Sequence, residues 1–177
     1  AFGILDALEI DEAHIVGASL GGMIAQTMAI ERSKRVLSLT SIMSSTGSRE
    51  VIDIPDDCLE LLLAPAPTKR DEYLDYSAKY SIWCSKKYFD RDLAREYAAV
   101  EYDRSHYPEG SGRQIAALLA SGDREPLLAS LDVPTLVIHG SDDRLILPHQ
   151  GERTAEVIPG AEYLLVNDMG HDLPQAL

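Results

Sequence analysis

Apolar residues in this chain cluster in two ways, and the two alternate along its length. His14-Ile15-Val16-Gly17 is a short apolar run closed by glycine and predicts a buried strand. Leu20 to Glu31 follows, with Met23, Ile24, Met28 and Ile30 placed nearly all the way round a helix, which predicts burial on more than one side. Arg35 to Ile42 predicts a second strand in which Ser and Thr alternate with aliphatic residues. Both strands have the character of a parallel sheet covered on both faces.

Residues 44–50 are polar and predict a loop. The stretch 56–125 then changes character: Asp71–Lys87, Arg91–Tyr102 and Gly112–Ser121 show helical spacing, punctuated by Pro65, Pro67, Pro108 and Gly110, and no strand is evident. Strand–helix alternation resumes with a strand at Pro134–Gly140, a helix at Pro148–Ile158 stopped by Pro159-Gly160, and a strand at Glu162–Val166. The order β-α-β, helical insertion, β-α-β predicts an α/β fold with a mostly parallel sheet. It divides the chain into a sheet part at 1–43, an insertion at 44–130 and a second sheet part at 131–177. Residues 1–8 read as the end of an amphipathic helix and Asp172–Leu177 as the start of another, so both termini are expected to cut through structure.

Sheets of this kind place chemistry at the carboxyl ends of their strands. At the first such end, Gly17-Ala18-Ser19-Leu20-Gly21 matches G-x-S-x-G, between a strand and a helix. A serine at that turn holds a strained backbone that pushes its hydroxyl outward, and the flanking glycines are expected to avoid collisions across the turn. The helix start adds free N–H groups, and the N–H of Leu20 is a candidate oxyanion donor. The sequence lacks the G-x-G-x-x-G pattern of a dinucleotide-binding turn.

A serine needs a base, and the base needs an orienting acid, in the chain order Ser, acid, His for this kind of sheet. Asp142 and Asp143 both follow the strand that ends in His139-Gly140, and the residues alone do not separate them. His171 follows the last strand, behind Gly170, at the same edge. His14, His106, His139 and His149 fall at strand or helix starts, in the insertion or inside a strand, and are read as structural.

Composition narrows the partners. Sixteen Lys and Arg against 29 Asp and Glu give a formal charge of −13, which argues against nucleic acid and against anionic substrates. No apolar run reaches membrane-span length. Cys58 and Cys84 show no metal-ligand spacing and read as free thiols of a reducing, cytoplasmic compartment, with a single bridge between them as the alternative.

Val16–Gln26, Pro134–Asp143 and Met169–Pro174 together resemble the α/β-hydrolase superfamily, and within it the cofactor-free esterases related to bacterial haloperoxidases and the aclacinomycin methylesterase. The resemblance runs from the first residues to the last. It implies a serine hydrolase of carboxylic esters, with Ser19 as nucleophile, His171 as base and no metal or organic cofactor. The family's acid is the third residue after the strand-end glycine, which selects Asp143. The helical insertion corresponds to the family's cap over the active site; most of its aromatic residues read as packing between cap helices, and the acidic charge with the aromatic-rich cap favours an uncharged, hydrophobic small-molecule ester. The family also carries strands and a His-Gly oxyanion loop before the nucleophile strand, with no counterpart here. The chain is therefore expected to be a fragment, lacking one oxyanion donor and exposing an edge strand open to pairing with a second copy. The same triad could serve peptide cleavage at an N-terminal proline, C–C cleavage or peracid formation, or persist in a non-catalytic binding module.

Overall fold

The structure, a computed structural model, describes residues 1–177. Four strands form one sheet: β1 (Ala13–Ala18), β2 (Val36–Ile42), β3 (Thr135–Gly140) and β4 (Glu162–Val166). They lie in sequence order, and every neighbouring pair is parallel. Parallel neighbours need crossovers, and helices supply them: α2 (Leu20–Glu31) joins β1 to β2, and α8 (Pro148–Val157) joins β3 to β4. A short α1 (Phe2–Ala7) precedes β1 and buries Phe2 beneath Arg32 and Arg35, whose guanidinium carbons sit 4.9 and 5.4 Å from its ring centre.

The core forms where α2 meets the sheet. Ala25 and Ala29 are one turn apart on α2, and their small side chains let the helix approach Val36 and Leu39 of β2 closely. Leu128, Leu131, Val133 and Ile158 complete the cluster. Helix α2 is buried on most sides, as its composition predicts, with Ile24 turned to solvent.

The expected burial of the first strand fails. β1 is an edge strand, and its outward positions His14, Val16 and Ala18 are exposed, Val16 by 65%. These alternate positions point to one face of the sheet, which is left uncovered at β1, and β1 also pairs only with β2. The exposed apolar edge expected from the resemblance is present. The carboxyl-terminal residues depart from expectation as well, because after Asp172 the chain makes a turn closed by Leu177 N–H on the Pro174 carbonyl rather than a helix.

Between β2 and β3 come helices α3 (Asp56–Leu63), α4 (Arg70–Ser77), α5 (Arg91–Ser105), α6 (Pro108–Ser121) and α7 (Glu125–Leu128). The helix predicted over 71–87 instead ends at Ser77, continues as 3₁₀ turns to Ile82 and then leaves helical geometry. Helix α6 begins earlier than the spacing predicts, because Pro108 occupies its first turn, where a missing N–H costs nothing. No helix is long and apolar enough to cross a membrane.

The polar loop after β2 is buried. Ser44, Ser45, Thr46 and Ser48 are each buried, and so is Arg124, only 5% exposed, whose backbone N–H donates to the Thr46 carbonyl at 3.0 Å. Arg124 donates to Gln26 Oε1 at 3.1 Å, to the Ser45 carbonyl at 3.0 Å and to Ser121 Oγ at 3.0 Å. The loop thus folds inward where its Ser45 carbonyl supplies one of the acceptors that a buried cation requires.

Candidate active site

Three loops converge at the carboxyl edge of the sheet. The first is the turn from β1 into α2, where Ser19 has φ 54° and ψ −123°, a conformation strained for any side chain. The Ser19 N–H donates to the Ile42 carbonyl at 2.9 Å, and its carbonyl accepts from Ser44 Oγ at 2.9 Å, so β2 and the residues beyond it clamp the turn. Gly17 is indispensable by contact: a Cβ there would lie 2.1 Å from the Gly21 carbonyl oxygen. The matching expectation for Gly21 is wrong, since a Cβ there meets nothing within 4 Å. The crowded neighbour is Gly22, whose Cβ would come 2.5 Å from that of Ser44.

The second loop follows β3. Asp143 is 1% exposed, and its Oδ1 accepts the N–H groups of Leu145 and Ile146 at 2.9 and 3.0 Å. Burial pushes its carboxyl up. Hydrogen bonds from His139 and His171, the charge of His171 and the Ile146 N–H outweigh that and hold it below the usual carboxylate range. Asp142 points elsewhere, accepting the Lys86 N–H at 3.2 Å.

The third loop follows β4 and carries His171. Its Nδ1 lies 2.8 Å from Asp143 Oδ2 and its Nε2 lies 2.9 Å from Ser19 Oγ. The candidate residues Ser19, Asp143 and His171 thus form one hydrogen-bonded chain, and Asp142 is outside it. Leu20 opens α2, and an N–H in the first turn has no intrahelical acceptor, which leaves it free beside Ser19.

A family model described as alpha/beta hydrolase fold matches residues 3–174. The chain belongs to the α/β-hydrolase fold family. It is 29% identical over 180 residues to a 2-hydroxy-6-oxononadienedioate/2-hydroxy-6-oxononatrienedioate hydrolase of Pseudomonas sp., covering 97% of this chain and 60% of that protein. It is 28% identical over 200 residues to the rhodomycin D methylesterase DauP of Streptomyces sp. (strain C5), covering 100% of this chain and 66% of that one. Among solved structures, the meta-cleavage product hydrolase of Pseudomonas fluorescens IP01, complexed with acetates, superposes with a TM-score of 0.74 at 26% identity, over 96% of this chain and 61% of that one. The chain spans about three-fifths of the length of the first curated relatives it matches.

Sequence reasoning passed over two residues at this α/β-hydrolase site. His139, read as structural, has its Nε2 3.4 Å from Asp143 Oδ2. Ser44, read as loop, holds the Ser19 carbonyl. Position at the carboxyl end of a strand was a usable signal for both.

Proposed function

We propose that the chain carries the acid, base and nucleophile of a serine hydrolase acting on carboxylic esters. One observation carries this reading: the single path of hydrogen bonds from Asp143 through His171 to Ser19 Oγ. In the reaction, Ser19 Oγ attacks the ester carbonyl while His171 Nε2 takes its proton. Asp143 keeps the other ring proton on Nδ1 and stabilises the imidazolium. Leu20 N–H, at the positive end of α2, stabilises the tetrahedral oxyanion. His171 then protonates the leaving alcohol, and water hydrolyses the acyl-enzyme by the same steps in reverse. The helices between β2 and β3 act as a cap over the site.

The electrostatics favour an uncharged ester. The basic side chains nearest the acid and base loops are engaged: Lys86 with Asp142, Lys87 with Asp168 and Arg144 with Asp57. A carboxylate substrate would find no spare cation among them, in a chain of net charge −13. A second reading, hydrolysis of a C–C bond next to a ketone with the same triad, is favoured by the names of several relatives at 26–29% identity, which are 2-hydroxy-6-oxo acid hydrolases.

Labelling with a fluorophosphonate probe tests the common core of both readings. We expect the chain to label, and Ser19→Ala, His171→Ala and Asp143→Asn to lose most of it. Undiminished labelling of Ser19→Ala overturns the assignment. Turnover of p-nitrophenyl esters against a 2-hydroxy-6-oxodienoic acid then separates ester from C–C chemistry.

A further inference from the structure

The six residues 82–87, where the predicted helix gives way, sit astride both the acid loop and the base loop. Toward the acid loop, the Ile82 carbonyl accepts from Arg144 at 3.3 Å, and Lys86 N–H donates to Asp142 Oδ2 at 3.2 Å. Toward the base loop, the Trp83 carbonyl accepts the backbone N–H of His171 itself at 2.7 Å. Lys87 Nζ donates to Asp168 Oδ2 at 2.8 Å. Asp172 closes the arrangement: its Oδ1 accepts the Ser85 N–H at 3.0 Å and the Gly170 N–H at 3.1 Å. One carboxylate oxygen thus joins the insertion to the residue before His171 in the chain. The seat is tight, because a Cβ on Gly170 would lie 2.2 Å from the Cys84 carbonyl carbon and 2.3 Å from Ser85 N. Ser85 is fully buried, so its N–H has no water to turn to if the carboxylate is removed.

We propose that Asp172 is a positioning residue for the base: by holding Gly170 and Ser85 on one oxygen, it sets His171 in register with Ser19 and makes that register depend on the seating of the helical insertion. The side chain reaches neither Ser19 nor Asp143 in the hydrogen-bond pattern, so it acts through the backbone on either side of His171. A histidine loop held only at its strand end would be free to move by the ångström that costs such sites roughly a hundred-fold. What Asp172 contributes is acceptor geometry rather than charge, and an amide oxygen can supply that.

The inference rests on the triad reading, and two readouts keep them separable. The first is the rate of fluorophosphonate labelling at Ser19 in the 177-residue chain. Asp172→Ala is expected to slow it roughly ten- to a hundred-fold, and Asp172→Asn to restore it to within a few-fold. Should Asp172→Ala not fold, Asp172→Glu, which displaces the acceptor by a methylene, is expected to be slow in its place. Wild-type labelling rates in the Ala or Glu variant, or an Asn variant as slow as Ala, overturn the proposal. The second readout needs no activity: amide hydrogen exchange of Ser85, Gly170 and His171 by NMR. Faster exchange at all three in the Ala variant, restored in Asn, is the expected result, and unchanged protection overturns it. A wild-type chain that fails to label bears on the hydrolase reading alone, because the exchange measurement still decides the role of Asp172.

Discussion

Asp143 Oδ2 is shared between two imidazoles, lying 2.8 Å from His171 Nδ1 and 3.4 Å from His139 Nε2. The second histidine has a fixed tautomer. His139 Nε2 is 2.8 Å from the Ile146 carbonyl, which can only accept, so the proton sits on Nε2. Its Nδ1 is buried without a partner. The Nε2–H of His139 therefore lies beside the same carboxylate oxygen that His171 Nδ1 meets. With the N–H groups of Leu145 and Ile146 on the other oxygen, Asp143 stays ionised although it is buried.

This arrangement links folding to pH. The Asp143 carboxyl is held below its unfolded value, chiefly by the His139 and His171 hydrogen bonds working against burial. Between the two values the unfolded chain binds the extra proton, so stability rises with pH there. The contribution is complete above about pH 4, the ordinary carboxylate range, and is lost as pH falls below it through the folded value. Urea midpoints of the native chain should fall more steeply on acidification from about pH 5 to 3 than those of Asp143→Asn. Parallel curves for the two proteins would refute the linkage.

The turn at Ser19 makes opposite forecasts for its two motif glycines. Ala at position 17 would drive a Cβ into the backbone of Gly21, which cannot move without distorting the start of α2. Gly17→Ala should cost about 1–3 kcal/mol, or more if the turn rearranges. Gly21 lies in α2 with open space beside it, so Gly21→Ala should be neutral or stabilise by up to about 1 kcal/mol through helix propensity. Chemical denaturation of both variants checks the contrast; equal effects would mean that the motif is read wrongly.

The sheet was legible because its strands carry local signals. Glu162–Val166 was placed without error and the others to within a residue or so, since each is an apolar run bounded by Gly, Pro or polar turns. That Ser19, Asp143 and His171 meet was legible because parallel topology sends every strand's carboxyl end to one edge. The insertion was less legible where tertiary contacts override helical spacing. Ser85 and Lys86 leave the helix to meet Asp172 and Asp142, far away in sequence. The polar run at 44–48 gave no hint of burial, because its reason, Arg124, comes much later in the chain.

Arg124 should accordingly be a stability determinant. It is almost fully buried, and burial lowers its pKa, yet its partners are neutral acceptors. Arg124→Ala would leave Gln26 Oε1 and the Ser45 carbonyl without their donors, at about 1–3 kcal/mol for each group so stranded. Arg124→Lys should recover little, because an ammonium cannot span Gln26, Ser45 and Ser121 as a planar fork does. Guanidinium unfolding of the two variants checks this, and a Lys variant as stable as the native chain would show that charge alone suffices.

The two thiols give a quick probe of whether the insertion stays seated. Cys58 and Cys84 are free, buried and packed with Trp83. Burial, with the charges of Asp172 and Asp143 behind it, pushes the Cys84 thiol up to about 12, and burial also raises Cys58. At pH 8 a thiol of that kind is thiolate in only about one part in ten thousand, against a substantial fraction for a free cysteine. Ellman's reagent should therefore find almost no reactive thiol in the native chain and two in urea. Cys84 lies at the turn held by Asp172, so Asp172→Ala should make Cys84 react measurably faster than Cys58, as mass spectrometry of the modified peptides would show. Rapid reaction of both thiols in the native chain would mean that the turn opens freely in solution.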